Sequence, residues 1–216
     1  MSLTKFIIIF SHLPIFITMV YAIVHYKRLG DELKVFCYFL FLSGIIQFAS
    51  LACWFYGANN LLLLHIYVAV GFPCLAWFYG KVLHNFIHSK LIWIVTIVFL
   101  LFTLSNSLFI QKTNKFNTYA LTVEAILIII LSLSTYMLLL NDIVKERRKH
   151  TIKSLNWINS GLFIYYSSSL LIFYFSAIIS DTFPKILVRY TWAFHSFFSM
   201  VMYFCFFVGL WNRPKH

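Results

Sequence analysis

Seven runs of about 20 mostly apolar residues, each long enough to cross a bilayer as a helix, follow one another with short polar segments between them. The predicted spans are residues 6–26, 35–56, 61–82, 91–110, 119–140, 155–179 and 189–211. No stretch between them is long enough for a soluble domain. We therefore predict an all-α, polytopic membrane protein in which residues 1–216 form one seven-helix transmembrane domain.

The charge of the chain is concentrated in the segments between spans. A net charge of +11 would suggest nucleic acid as the partner of a soluble protein, but here the basic residues flank the membrane, so we expect no nucleic acid. Five Lys and Arg residues fall on the side of the N-terminus and twelve on the other side, which accounts for all 17. Because basic residues favour the cytoplasm, the N-terminus is predicted outside and the C-terminus in the cytoplasm.

Glu124 is the one acidic residue that falls inside an apolar run. A carboxyl group at membrane depth costs about 2.5–3.5 kcal/mol on insertion scales, so it needs polar partners. We expect it to hydrogen-bond to His195 or His12, and the sequence leaves its protonation state open. We also expect Glu124→Gln to keep the fold but abolish any ligand response, and Glu124→Leu to destabilise the protein.

Polar side chains on six different spans fall in one layer of the outer half of the membrane, roughly 6–13 Å below the outer ends of their helices. The members of this layer are Glu124, His195, His12, His65, Gln47 and Asn106. Three interpretations remain open: hydrogen bonds that only hold the helices together, a ligand pocket open to the outside, and a proton or ion path. The inner half offers fewer polar groups, among them Asn159, Tyr165 and Tyr166, and no second acid.

Histidine spacing raises the question of a metal site. His84 and His88 are four residues apart and would share a helix face, but they lie at the opposite membrane side from Glu124 and lack a third ligand. His12, His65 and His195 with Glu124 would suit zinc chemically, although a shared depth does not establish that they converge. We predict neither a metal nor a cofactor.

The segment between spans five and six is the most charged part of the chain. Its basic residues are Lys145, Arg147, Arg148, Lys149 and Lys153. Clusters of this kind next to a membrane attract anionic lipids. We therefore interpret the first four as a contact for lipid or for a cytoplasmic partner, with an ordinary loop at the positive-inside face as the alternative.

The second half of the chain carries a family pattern. It consists of Asn106-Ser107, Ile110-Gln111, Phe116-Asn117, Tyr119, Glu124, Ser132, Trp157-Ile158-Asn159-Ser160-Gly161, Tyr165, Trp192, His195-Ser196 and Gly209-Leu210-Trp211. This pattern resembles that of small bacterial seven-helix integral membrane proteins of unassigned function. The likeness is weaker in the first half. The resemblance implies a signalling accessory in the bacterial inner membrane, linked to sensor histidine kinases.

These observations predict a non-enzymatic, multi-pass inner-membrane protein. It would bind a small ligand or lipid in the outer layer and act on a cytoplasmic or membrane signalling protein. One alternative is a membrane-embedded, metal-dependent lipid hydrolase that uses the outer histidines. Another is a small-solute or proton-coupled transporter.

Overall fold

A computed structural model describes residues 10–141 and 149–213. Within those ranges the chain forms seven α-helices and no β-strand. They are α1 Leu13–His25, α2 Asp31–Phe55, α3 Leu61–Val82, α4 Ser89–Ser105, α5 Thr118–Leu140, α6 Lys149–Thr182 and α7 Lys185–Trp211. A short 3₁₀ turn, Tyr26–Arg28, follows α1, and a π-helical segment, Asn106–Ile110, extends α4.

Several helices are longer than the apolar runs that predicted them. α2 begins at Asp31, α6 at Lys149 and α7 at Lys185, each ahead of its predicted span. The residues added to α2 and α6 are mostly polar, whereas those added to α7 are Lys185 and three apolar residues. A helix can continue into the interface because its first N–H groups still reach water there. In α2 the acidic residues of the first turn complement the helix dipole, and Asp31 also pairs with Lys34 at 3.5 Å.

Six of the described helices, α2 to α7, are long and apolar enough to cross a membrane. α1 has only 13 residues and is shorter than its predicted span, of which residues 6–9 lie outside the described residues. α4 shows the lipid-facing pattern clearly, since Ile94, Val98, Leu101 and other large apolar side chains on it are exposed. The architecture is that of a multi-pass membrane protein.

Six helices form a closed ring. In order around the ring they are α1, α2, α3, α5, α6 and α7, and α7 returns to contact α1. α4 lies outside this ring and packs mainly on α3. The ends at which α1, α3 and α7 begin meet at one side of the bundle, which we call the N-side. The opposite end is the C-side.

The two most extensively packed helices, α6 and α7, approach most closely in the C-side half. A Cβ atom added at Gly161 would lie 2.8 Å from the Cβ of Cys205 and 3.0 Å from the carbonyl oxygen of Met202. Near the C-side end, the Ser154 hydroxyl donates a 2.6 Å hydrogen bond to the Gly209 carbonyl oxygen. Small residues thus allow the two backbones to pack directly against each other.

A buried polar cluster joins three helices in the C-side half. The Tyr79 hydroxyl on α3 donates to the Asn159 Oδ1 at 3.0 Å and lies 2.7 Å from the Ser132 Oγ. Asn159 in turn donates from Nδ2 to the Ser132 carbonyl oxygen at 3.0 Å. All three side chains are fully buried. A polar group in an apolar interior needs hydrogen-bond partners, and these three side chains supply them to one another.

Candidate functional site

A cavity of about 500 Å³ opens between the helices in the N-side half. Three helices contribute residues at the i, i+3, i+4, i+7 spacing of a single helix face. These are Gln47, Ser50, Leu51 and Trp54 on α2; Asn60, Leu63, Leu64 and Tyr67 at the start of α3; and Trp192, His195, Ser196 and Ser199 on α7. We call this space the N-side cavity. Arg189, an exposed residue of α7, also lines it.

Three of the six predicted layer residues line this cavity: His12, Gln47 and His195. His12 immediately precedes α1. The Gln47 amide on α2 donates to the Tyr203 hydroxyl on α7 at 3.0 Å, a hydrogen bond that joins two walls. Helices α1, α2 and α7 thus bring these three side chains to one space.

A second, smaller space of about 60 Å³ lies beside the cavity. We call it the Glu124 chamber, because Glu124 is one of the residues that line it. The cavity and the chamber share the residues Leu64, Tyr67, Phe116, Tyr165, Trp192 and His195. The chamber alone is also lined by Leu121, Tyr166 and Phe173. Its walls are therefore mostly aromatic.

Glu124 is completely buried, and its carboxyl group is incompletely paired. The Tyr166 hydroxyl donates to Oε1 at 3.4 Å, a long hydrogen bond. Oε2 has no hydrogen-bond partner among the described residues. Buried polar atoms are nearly always paired, and among the described residues only Asn106 Oδ1 and Asn117 Nδ2 share this exception. Neither of those residues lines the chamber, whereas Glu124 does.

His195 lies on the same chamber but is engaged elsewhere. Its Nδ1 is 3.0 Å from the Ser169 hydroxyl and its Nε2 is 3.3 Å from the Tyr165 hydroxyl. The sequence predicted a bond from Glu124 to His195 or His12, whereas the structure gives Glu124 the partner Tyr166. Tyr165 and Tyr166 were assigned to the inner half, because depth was estimated from backbone position. The hydroxyl of a tyrosine lies well away from its own Cα, and these two reach the chamber.

His65 and Asn106, the other two predicted residues, line neither the cavity nor the chamber. His65 is buried and hydrogen-bonds through its ring nitrogens to the Ser107 hydroxyl at 2.8 Å and the Lys115 carbonyl oxygen at 3.1 Å. It follows Leu64 by one residue and so points about 100° away around α3. Both contacts fasten the segment between α4 and α5 to α3.

Asn106 also helps to hold the segment between α4 and α5 in place. Its Nδ2 donates to the Asn117 Oδ1 at 2.8 Å and to the Gln111 Oε1 at 3.1 Å. Gln111 also accepts from the Tyr119 backbone N–H at 3.1 Å. Asn106 begins the π-helical segment, and its amide closes the loop that leads into α5. Its position is explained by the loop alone.

The residues that sequence reasoning missed are mostly aromatic or small: Tyr67, Tyr166, Phe173, Trp192, Ser50 and Ser196. The signal that would have found several of them is the i, i+3, i+4, i+7 spacing around Gln47 and His195. That spacing places Ser50 and Ser196 on the same faces as the two predicted residues. The aromatic walls carry no such signal, because 20% of the chain is aromatic.

The described residues do not assemble a metal site. Across residues 10–141 and 149–213, no group of three His, Cys, Asp or Glu side chains is close enough to hold a metal ion. His84, which we considered as a ligand, hydrogen-bonds to the Lys81 carbonyl oxygen at 2.9 Å and is exposed. The basic residues Lys145, Arg147 and Arg148 lie outside the described residues, as does the side chain of Lys149.

The arrangement can hold a ligand more readily than it can catalyse a reaction. Ser169 and His195 form a hydroxyl–imidazole pair of the kind that activates a nucleophile. However, Ser169 is buried and lines neither the cavity nor the chamber. A substrate in either space would not contact its oxygen. The pair therefore orients the His195 ring, and what remains is a cavity, an aromatic chamber and one unpaired carboxyl oxygen.

Comparisons with known protein families, with curated proteins and with solved structures gave no match for this chain. The resemblance noted from the sequence therefore stays a prediction. The function has to be argued from the site itself.

Proposed function

We propose that this protein is a non-enzymatic, multi-pass protein of a bacterial inner membrane that binds a small ligand or lipid in the N-side cavity. In this proposal the chain crosses the membrane seven times, with the N-side outside and the C-side in the cytoplasm. The bound state is passed to a signalling protein on the cytoplasmic side. The protein is thus a sensory or signalling accessory.

One observation carries the ligand-binding part of this proposal. An empty volume of about 500 Å³ is at the small end of the range for ligand pockets, and a chamber with an unpaired buried oxygen adjoins it. Polar side chains on an apolar wall are the usual composition of such pockets. Gln47 and His195 also hydrogen-bond to neighbouring helices, so the support comes from the volume of the cavity and from Glu124 Oε2, which has no partner among the described residues.

The C-side half supports binding over transport. Ile128 and Ser132 lie about one and two helical turns after Glu124 on α5, and both are fully buried. Ser132 belongs to the buried Tyr79 cluster, whose polar groups pair with one another. A conducting path would need polar groups facing an open space at this depth.

The orientation rests on the basic residues, of which twelve of the 17 fall toward the C-side. A fluorescent protein fused after His216 should then fold in the cytoplasm and fluoresce, whereas a fusion of secreted alkaline phosphatase at the same position should be inactive. The reverse pattern would overturn the orientation. The contact with a signalling partner is placed at Lys145, Arg147, Arg148 and Lys149, the basic segment between α5 and α6.

The ligand-binding proposal is tested by filling the cavity. Ser196 lies on the cavity wall, and Ser196→Phe puts a ring into the empty space. Ser105→Phe adds the same ring at an exposed position on α4 and serves as the matched control. Mass spectrometry of purified, folded protein should detect a small molecule or lipid retained by wild type and Ser105→Phe and lost from Ser196→Phe. Equal retention by all three proteins, or none by wild type, would contradict the proposal.

A further inference from the structure

The chemistry of the Glu124 chamber points to the kind of group that enters it, an inference that rests on the proposed ligand-binding function. Oε2 of Glu124 is buried and unpaired, and Glu124 is one of the residues that line the chamber. A carboxylate oxygen accepts hydrogen bonds and does not donate them. When Glu124 is ionised, the group that completes this site must therefore bring an N–H or O–H donor.

The charge of the chamber favours a cation. The ion pair between Lys34 and Asp31 is the one salt bridge among the described residues, and it does not involve Glu124. His195 cannot supply the charge through a direct contact, because its two ring nitrogens face Ser169 and Tyr165. An ionised Glu124 would thus be an uncompensated buried charge unless a ligand neutralises it.

The walls suit a cation as well. Six aromatic rings line the chamber: Tyr67, Phe116, Tyr165, Tyr166, Phe173 and Trp192. Phe116 and Trp192 are stacked with their ring centroids 4.9 Å apart, on the wall shared with the N-side cavity. The faces of aromatic rings attract ammonium groups, most strongly where water is excluded. A volume of about 60 Å³ accommodates a small group such as aminomethyl.

The N-side cavity restricts the rest of the ligand. It has apolar walls that include Ile46, Leu51 and Leu64, and the cation Arg189 also lines it. Arg189 would repel a second positive charge at that position. A ligand with a single amine and a neutral or anionic remainder therefore fits the two spaces together.

From these observations we infer that the site takes a primary amine, whose ammonium group enters the aromatic chamber and donates to Glu124 while its apolar remainder occupies the N-side cavity. Ammonium-to-carboxylate hydrogen bonds are stronger than neutral ones. A quaternary ammonium group has no N–H and would leave Oε2 unpaired. A primary ammonium group brings three N–H donors, more than a secondary or tertiary one, and adds the least bulk to a chamber of about 60 Å³.

The test uses the full chain in nanodiscs of phosphatidylcholine, a lipid without net charge, with empty nanodiscs as the blank. Calorimetric titrations with n-butylamine, n-butanol and butyrate compare three probes with the same four-carbon chain. We expect the amine to bind at least about tenfold more tightly than either other probe. Equal binding of the amine and the alcohol would overturn the amine inference and leave the proposed function standing. No binding of the amine would also overturn it, and the proposed function would then be judged by the retention experiment with Ser196→Phe.

Two variants locate the amine. Glu124→Gln keeps the side-chain shape and removes the charge, so it should weaken butylamine binding about tenfold and leave butanol unchanged. Phe173→Leu removes one chamber wall and should weaken butylamine severalfold, whereas Phe99→Leu, at an equally buried ring packed on Phe72 outside the chamber, should not. Unchanged butylamine binding in Glu124→Gln would show that the amine binds elsewhere and overturn the inference. If Glu124→Gln does not fold, the two Phe variants test the inference instead. Equal butylamine binding by Phe173→Leu and Phe99→Leu would then overturn it.

Discussion

The two halves of this helix bundle differ in how closely they pack and in how completely their buried polar groups are paired. In the C-side half, Tyr79, Ser132 and Asn159 satisfy one another across three helices, and α6 and α7 pack backbone to backbone. In the N-side half, helices of the same ring separate around a cavity of about 500 Å³, and Glu124 keeps an unpaired oxygen. The difference indicates that the C-side half supplies stability and the N-side half supplies a site.

Adding volume at the α6–α7 contact should give the largest effect. Gly161→Ala places a methyl group 3.0 Å from the Met202 carbonyl oxygen, and because backbone cannot move aside easily, we expect the free energy of unfolding to fall by about 1–3 kcal/mol. Gly80→Ala is the matched control, since no atom lies within 4 Å of its added Cβ. Unfolding by sodium dodecyl sulfate in mixed micelles measures both. Equal effects at the two glycines would mean that the C-side half is not tightly packed.

Removing the hydroxyl group of Tyr79 should have the next largest effect. Tyr79→Phe leaves the Asn159 Oδ1 without its donor, and we expect a loss of about 1 kcal/mol in the free energy of unfolding. Tyr136→Phe, which breaks one partly exposed bond to Ser160, should cost less. The same unfolding titration compares the two. If Tyr79→Phe were as stable as wild type, the polar cluster would not distinguish the two halves.

Replacing Glu124 by an apolar residue should change stability least. The sequence alone predicted that Glu124→Leu destabilises the protein, but the structure shows only one long hydrogen bond to lose and an unpaired oxygen to remove. We therefore expect the free energy of unfolding to stay within about 0.5 kcal/mol of wild type. Glu124→Gln, which keeps the shape of the side chain and removes its charge, is the control. A loss comparable to that of Tyr79→Phe would show that Glu124 is a structural residue and would remove the contrast between the halves.

The sequence predicted the helices well because the length of an apolar run is a one-dimensional property. It also placed His12, Gln47 and His195 at a common depth, and the structure brings these three to one cavity. The depth of a residue in the membrane does not show in which direction its side chain points around the helix axis. His65 and Leu64 are neighbours in sequence, yet His65 contacts Ser107 while Leu64 lines the cavity.

Two further features depended on geometry that the sequence does not display. The π-helical segment from Asn106 to Ile110 inserts an i to i+5 hydrogen bond, from the Gln111 N–H to the Asn106 carbonyl oxygen at 2.7 Å, and so changes the direction of the following loop. Tyr166 reaches Glu124 from a helix position assigned to the other half. The first feature shapes the segment after α4, and the second supplies the hydrogen-bond partner of Glu124.

The closed ring has a consequence for how the protein is made. α7 contacts α1, and residues from His12 to Ser199 line the N-side cavity. Because a chain emerges from the ribosome in order, α1 must remain in the bilayer without its α7 contact until all the other described helices have been inserted. The Glu124 chamber gains Trp192 and His195 only at that step. Acquisition of the binding site would then report that membrane insertion is complete.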